Sequence, residues 1–109
     1  MIISAYRTMW LMVYFDLPVD TKEDRFNYSK FRKALLKDGF FMHQYSVYIR
    51  HCVTLEAMES HINKVVSNLP KYGKISLIQI TDKQFENIKH YWGRSAVPSP
   101  IAPRQLEIF

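Results

Sequence analysis

Met-Trp-Leu-Met-Val-Tyr-Phe-Asp-Leu-Pro, residues 9–18, is an apolar run closed by a single carboxylate, Asp16. Apolar residues on both faces of such a run, rich in Val, Tyr, Phe and Trp, are what a buried central strand requires. An ionised carboxylate is tolerated there only where the chain leaves the core, so Asp16 belongs at the C-terminal edge of a sheet. Ligands and metals gather at such edges.

The elements on either side complete the pattern. Leu17–Thr21 read as a Pro-containing turn, with Asp20 or Thr21 as helix cap and Asp20 and Glu23 spaced as a variant capping box. A helix follows to about Asp38. At 100° per residue Asn27, Tyr28, Phe31, Ala34 and Leu35 share one arc, and Arg25, Ser29, Lys30, Arg32, Lys33 and Lys37 fill the rest. Phe26 and Leu36 lie outside the apolar arc, which either has no meaning or marks a contact with another chain. Gly39 supplies a left-handed stop. Phe40–Cys52 is strand-like throughout and reads as a hairpin or bent pair broken near Gln44–Ser46.

Thr54 caps a second helix in which Leu55, Met58, Ile62, Val65, Val66 and Leu69 recur at three- and four-residue spacing until Pro70 ends it. Ile75–Thr81 reads as a further, largely buried strand. Thr81 and Gln84 box a short helix carrying Phe85, Ile88 and Trp92 and closed by Gly93. Ala96–Pro103 is an extended Pro-rich linker, and the final Gln-Leu-Glu-Ile-Phe alternates as a strand that must dock on a sheet edge. The β-α-β-β-α-β order predicts an α+β, ferredoxin-like α/β plait over residues 1–95, with both helices on one face of an antiparallel sheet. Residues 1–8 are an N-terminal extension and 96–109 a C-terminal arm. The uncovered sheet face calls for a second subunit or that arm, hence a homodimer.

Composition narrows the setting. The chain has 109 residues and a formal charge of +5, with 48% apolar and 15% aromatic residues. One domain with a modest core follows. Lys22, Arg25, Lys30, Arg32, Lys33 and Lys37 cluster against only Glu23 and Asp24, which is either a solvated helix face or a surface for a polyanion. The lone Cys52 excludes an internal disulfide framework and fits a reducing compartment. Residues 1–8 lack the charged start and apolar core of a secretory signal, and no membrane span is present, so a cytoplasmic location is expected.

Asp16 either caps the following turn or holds Mg²⁺. One carboxylate per chain is a weak cage for magnesium, whereas two copies meeting at a dimer axis suffice. His43, His51, His61 and His90 show no His-x-x-x-His spacing on a helix, so no zinc site is expected and hydrogen-bonded or solvent-facing rings are the default. Ser46 lacks the flanking glycines of a nucleophile elbow. Tyr45, Tyr48 and Phe41 read as packing residues, since the third-strand signature of an RNA-recognition sheet is missing.

Val-Tyr-Phe-Asp-Leu-Pro-Val at 13–19, Glu-Asp-Arg at 23–25 with Tyr-Ser-Lys-Phe-Arg-Lys-Ala-Leu at 28–35, Asp-Gly-Phe-Phe-Met-His-Gln-Tyr-Ser-Val-Tyr-Ile-Arg at 38–50 and Thr-Asp-Lys-Gln-Phe at 81–85 together resemble the small CRISPR adaptation subunit family, Cas two, of type II systems. The resemblance implies a plait homodimer whose C-terminal strand crosses to the partner. It implies an adaptor that bridges two dimers of the Cas one integrase subunit while double-stranded protospacer DNA lies across them, in antiviral defence. It also implies a Mg²⁺-dependent endonuclease, RNase or DNase, in which Asp16 from each chain is the metal ligand and catalytic residue. Ser46 matches a recurrent family serine.

The adaptor is the preferred reading, because one carboxylate with no general base in its motif is sparse equipment for hydrolysis. Arg25, Arg32, Lys33 and Lys37 are its candidate DNA-binding residues, through phosphates and not bases. A VapD-like toxin ribonuclease, which resembles the same plait, is a further alternative.

Overall fold

The computed structural model describes residues 9–94. Four strands and three helices run in the order β1 (Met9–Asp16), α1 (Lys22–Lys37), β2 (Phe41–Gln44), β3 (Val47–Cys52), α2 (Leu55–Ser67), β4 (Lys74–Thr81) and α3 (Asp82–Glu86). The sheet order is β2-β3-β1-β4, with every neighbouring pair antiparallel. This is the predicted plait. Residues 1–8, the Ala96–Pro103 linker and the Gln-Leu-Glu-Ile-Phe arm lie outside the described residues.

The register explains the core. β1 pairs with β3 from Met9↔Cys52 to Tyr14↔Val47 and with β4 from Met9↔Thr81 to Asp16↔Lys74. Directly opposed residues share a face, so Leu11, Val13 and Phe15 stand with Tyr48, Cys52, Ile75 and Leu77 against the helices. Tyr28, Phe31 and Leu35 of α1 and Met58 and Val65 of α2 bury themselves on that face. Phe15 is its hub, with ring centroids 5.3 Å from Phe31, 5.6 Å from Tyr48 and 5.8 Å from Tyr28. Each such buried side chain contributes about 1.5–3 kcal/mol by removal from water. Cys52 is buried at the edge of this core, and burial pushes its thiol upward from the usual value.

The other face of β1 carries Trp10, Met12, Tyr14 and Asp16. Tyr14 is 53% exposed and Ile78, opposite Met12 on β4, 42% exposed. The expected full burial of β1 therefore holds for one face only. β4 is likewise half-exposed and not largely buried: it is an edge strand, and Lys74, Ile78 and Gln79 are exposed.

Local signals set the ends. Thr21 caps α1, accepting from the Asp24 amide at 3.0 Å while the Asp24 carboxylate accepts from the Thr21 amide at 3.2 Å. The capping box is thus Thr21–Asp24, and the Asp20–Glu23 spacing is unused. Gly39 closes α1 at φ +88°, a left-handed conformation that residues with a side chain rarely adopt, and the Arg50 guanidinium that donates to the Asp38 carbonyl lies against it. α2 begins after Thr54 but stops at Ser67, with Asn68 as cap, ahead of Pro70.

α3 is a single turn, five residues instead of the predicted run to Gly93. Phe85 is held by stacking on Trp10, whereas Trp92 is 59% exposed. A continued helix would bury little with that side chain, and one turn seldom propagates unaided.

Phe31→Ala should lower the stability of the fold by about 3–5 kcal/mol, since it empties the centre of the helix-facing core. Leu36→Ala, on the exposed side of the same helix, should change it by no more than about 0.5 kcal/mol. Urea unfolding followed by circular dichroism separates the two.

Candidate functional site at the carboxylate edge of the sheet

Asp16 lies where the sequence places it, at the exposed C-terminal end of the central strand. Its carboxylate makes no hydrogen bond or ion pair among the described residues, so the capping role considered for it is not taken up there. Three backbone contacts set its position. The Phe15 amide donates to the Ser46 carbonyl at 3.1 Å, and Asp16 is in register with Lys74 on β4. Gly73, at φ +106°, lies so close that a Cβ on it would come within 2.8 Å of the Asp16 carbonyl oxygen.

Ser46 adjoins this edge. It occupies the two-residue turn between β2 and β3 at φ +64°, a left-handed conformation unusual for a residue with a side chain. Beside it, the Tyr28 phenol is pushed up to about 12, first by burial, then by the charge and hydrogen bond of Tyr45, with a hydrogen bond from Ser46 partly offsetting them. Tyr28 is accordingly a neutral hydrogen-bonding group at ordinary pH. Sequence reasoning does not find the Tyr28–Tyr45–Ser46 group, because in the sequence the two tyrosines look like packing residues.

The four basic candidates divide. Arg25 Nη1 donates to the carbonyls of Val19 at 3.1 Å and Asp20 at 3.2 Å, bracing the loop that follows Asp16. Arg32 reaches inward, its Nε donating to the buried Tyr48 hydroxyl at 2.7 Å. Lys33 and Lys37 are exposed, with no ion pair or hydrogen bond among the described residues.

The histidines are mostly tied to other groups, in line with their default reading. His61 Nδ1 is 2.7 Å from Asp38 Oδ2, and Lys64 Nζ donates to Asp38 Oδ1 at 3.2 Å, fastening α2 to the end of α1. On the opposite sheet face, the Trp10 indole donates to Asp82 Oδ1 at 2.7 Å, with His51 Nε2 3.6 Å from the same oxygen. His43 and His90 meet through their Nε2 atoms at 3.2 Å. Burial, and then the neighbouring His90, lower the His43 value below that of an ordinary imidazole.

As a magnesium ligand Asp16 has the right chemistry, a hard oxygen donor open to water and phosphate. Among the described residues, the end of β1 offers that one carboxylate. Among the described residues no three His, Cys, Asp or Glu side chains come together as a metal-binding group.

Fold and site together define an α+β plait with a carboxylate at the end of its central strand and a basic helix alongside. The chain belongs to the Cas2 family: the model for CRISPR associated protein Cas2 matches residues 9–88. A protein of Flavobacterium psychrophilum named CRISPR-associated endoribonuclease Cas2 is 44% identical over 107 residues, 98% of this chain and 93% of that one. One of the same name from Parvibaculum lavamentivorans is 46% identical over 101 residues, covering 93% of this chain and 100% of its own length. A solved structure described as a crystal structure of cas2 superposes with a TM-score of 0.54 at 16% identity, covering 84% of this chain and 97% of the other. That likeness bears on the fold.

Gly73→Ala should cost about 1–3 kcal/mol, because it combines a strained positive φ with a clash against the Asp16 carbonyl. In NMR spectra the amides of Asp16 and Leu17 should shift more than those of α2. Unchanged stability and unmoved Asp16 resonances would show that Gly73 does not set the edge.

Proposed function

We propose that this chain is the non-catalytic DNA-binding adaptor of CRISPR spacer acquisition, working in the cytoplasm as a homodimer between two dimers of the Cas one integrase subunit. The observation that carries the reading is the outer face of α1, where Lys33 and Lys37 stand exposed, without partners among the described residues, while the sheet edge holds one carboxylate per chain. Cations of that kind neutralise phosphates without reading bases, which suits capture of protospacer duplexes of any sequence. Arg25 and Arg32 support the surface from behind, one through the loop after Asp16 and the other through Tyr48. The open sheet face around Met12, Tyr14 and Ile78 is the surface through which two copies join.

A Mg²⁺-dependent endonuclease is the second reading, favoured by the name endoribonuclease that the relatives carry and by the exposure of Asp16 beside the open face. Two copies joined there would bring two Asp16 carboxylates toward one axis. Magnesium, with one or two carboxylates, waters and the substrate phosphate, would polarise the phosphodiester and stabilise the leaving oxygen. Ser46 and Tyr28 would act only as hydrogen-bonding neighbours of that edge.

Reversing both lysines, Lys33→Glu with Lys37→Glu, should weaken duplex binding uniformly across sequences. The slope of log K against log salt should become shallower by about 0.9 for each phosphate no longer neutralised. Spacer integration in the reconstituted complex with Cas one should fall with it. Intact binding and integration would overturn the adaptor surface. Asp16→Ala should preserve integration, whereas a folded, dimeric Asp16→Ala that loses integration together with Mg²⁺-dependent cleavage would favour the nuclease.

A further inference from the structure

His43 on edge strand β2 and His90 in the segment after α3 are 47 positions apart in sequence, yet their Nε2 atoms are 3.2 Å from each other. The ring centroids are 5.2 Å apart and the planes lie at 63°. The nitrogens are closer than the ring centres, so the imidazoles meet through their Nε2 corners. Two such rings in a straight N–H···N hydrogen bond at this separation have centres about 5.5 Å apart. Two rings on adjacent corners of a tetrahedral ion, with bonds of about 2.0–2.1 Å, have nitrogens about 3.3 Å and centres about 5.2 Å apart. The observed separations, 3.2 Å between nitrogens and 5.2 Å between ring centres, depart from the straight hydrogen bond and lie close to the second arrangement.

We propose that His43 and His90 form a binding site for a transition-metal ion of the zinc class, ligated through both Nε2 atoms. Imidazole suits zinc, copper and nickel, and is a poor partner for the hard magnesium ion that suits Asp16. The site is preformed. Phe85 packs 5.8 Å from His43, ring centre to ring centre, and itself stacks on Trp10 at 4.3 Å, which fixes the strand-borne ligand. His90 is exposed, so water has access to the remaining corners, and the ion exchanges with solvent. Neither ring is in an ion pair with a carboxylate among the described residues.

The bound ion would tie the segment after α3 to β2. The site shares no residue with the Asp16 edge and is independent of either reading of the protein's function.

The test uses the full-length protein stripped with chelator, titrated with Zn²⁺ alone by calorimetry and with Co²⁺ alone by visible absorption. One Zn²⁺ per chain should bind, with a tetrahedral Co²⁺ spectrum. His43→Gln and His90→Gln should each weaken binding by at least about tenfold, the loss that even an outer-sphere partner causes. His51→Gln should bind as the wild type does. Because His90 is exposed, its substitution leaves folding intact, which circular dichroism verifies. No stoichiometric binding, or binding that survives both His43→Gln and His90→Gln, would overturn the site.

Discussion

Everything in this fold hangs on β1 being paired along both of its edges. Its register with β3 and β4 decides which of its side chains meet the helices and which meet the opposite side, and a slip of one residue would exchange the two sets. With Leu11, Val13 and Phe15 turned inward, Phe15 gathers Tyr28, Phe31 and Tyr48 into one aromatic core. With Trp10, Met12 and Tyr14 turned outward, the same strand furnishes a second apolar surface, on which Phe85 stacks over Trp10 and Ile49, opposite Met12, is buried, while Tyr14 and Ile78 stay exposed. Asp16 emerges at the end of this strand as a direct consequence of the same register.

That arrangement accounts for the division of labour among the charged residues. Near the core, charges are bound up in the architecture: Arg50 holds the Asp38 carbonyl, Asp38 pairs with His61 and Lys64, and Arg32 satisfies the Tyr48 hydroxyl. A buried hydroxyl without a partner would cost about 1–3 kcal/mol, so Arg32 is as much a structural residue as a basic one. Lys33 and Lys37, lacking such duties among the described residues, remain available to a polyanion. The basic helix is thus the basis of the proposed polyanion surface, and the exposed Asp16 the basis of the alternative magnesium reading.

Most of the fold is legible in the sequence because its signals are local. The apolar run before Asp16, the threonine caps at 21, 54 and 81 and the break at Gln44–Ser46 each depend on neighbours a few residues away. What stays hidden depends on distance or on length of side chain. Helical periodicity puts Arg32 on the solvent arc, but its stem is long enough to turn back to Tyr48. The left-handed Ser46 gives no sign of itself, since glycine is the usual marker of such a turn. The histidine pairs join positions 23 and 47 residues apart, and no spacing rule reaches that far. α3 is shorter than its pattern suggests because Phe85, Ile88 and Trp92 have helical spacing, yet only Phe85 finds a ring to stack on.

The central claim is that β1 builds two surfaces, a core within the chain and an interface with a second copy. Sedimentation equilibrium on the wild type and on Tyr14→Asp combined with Ile78→Asp addresses it most directly, with circular dichroism on the same samples. The account predicts a wild-type dimer and a variant that is monomeric with its secondary structure kept. A monomeric wild type, or a variant that dimerises as well as the wild type, would contradict it.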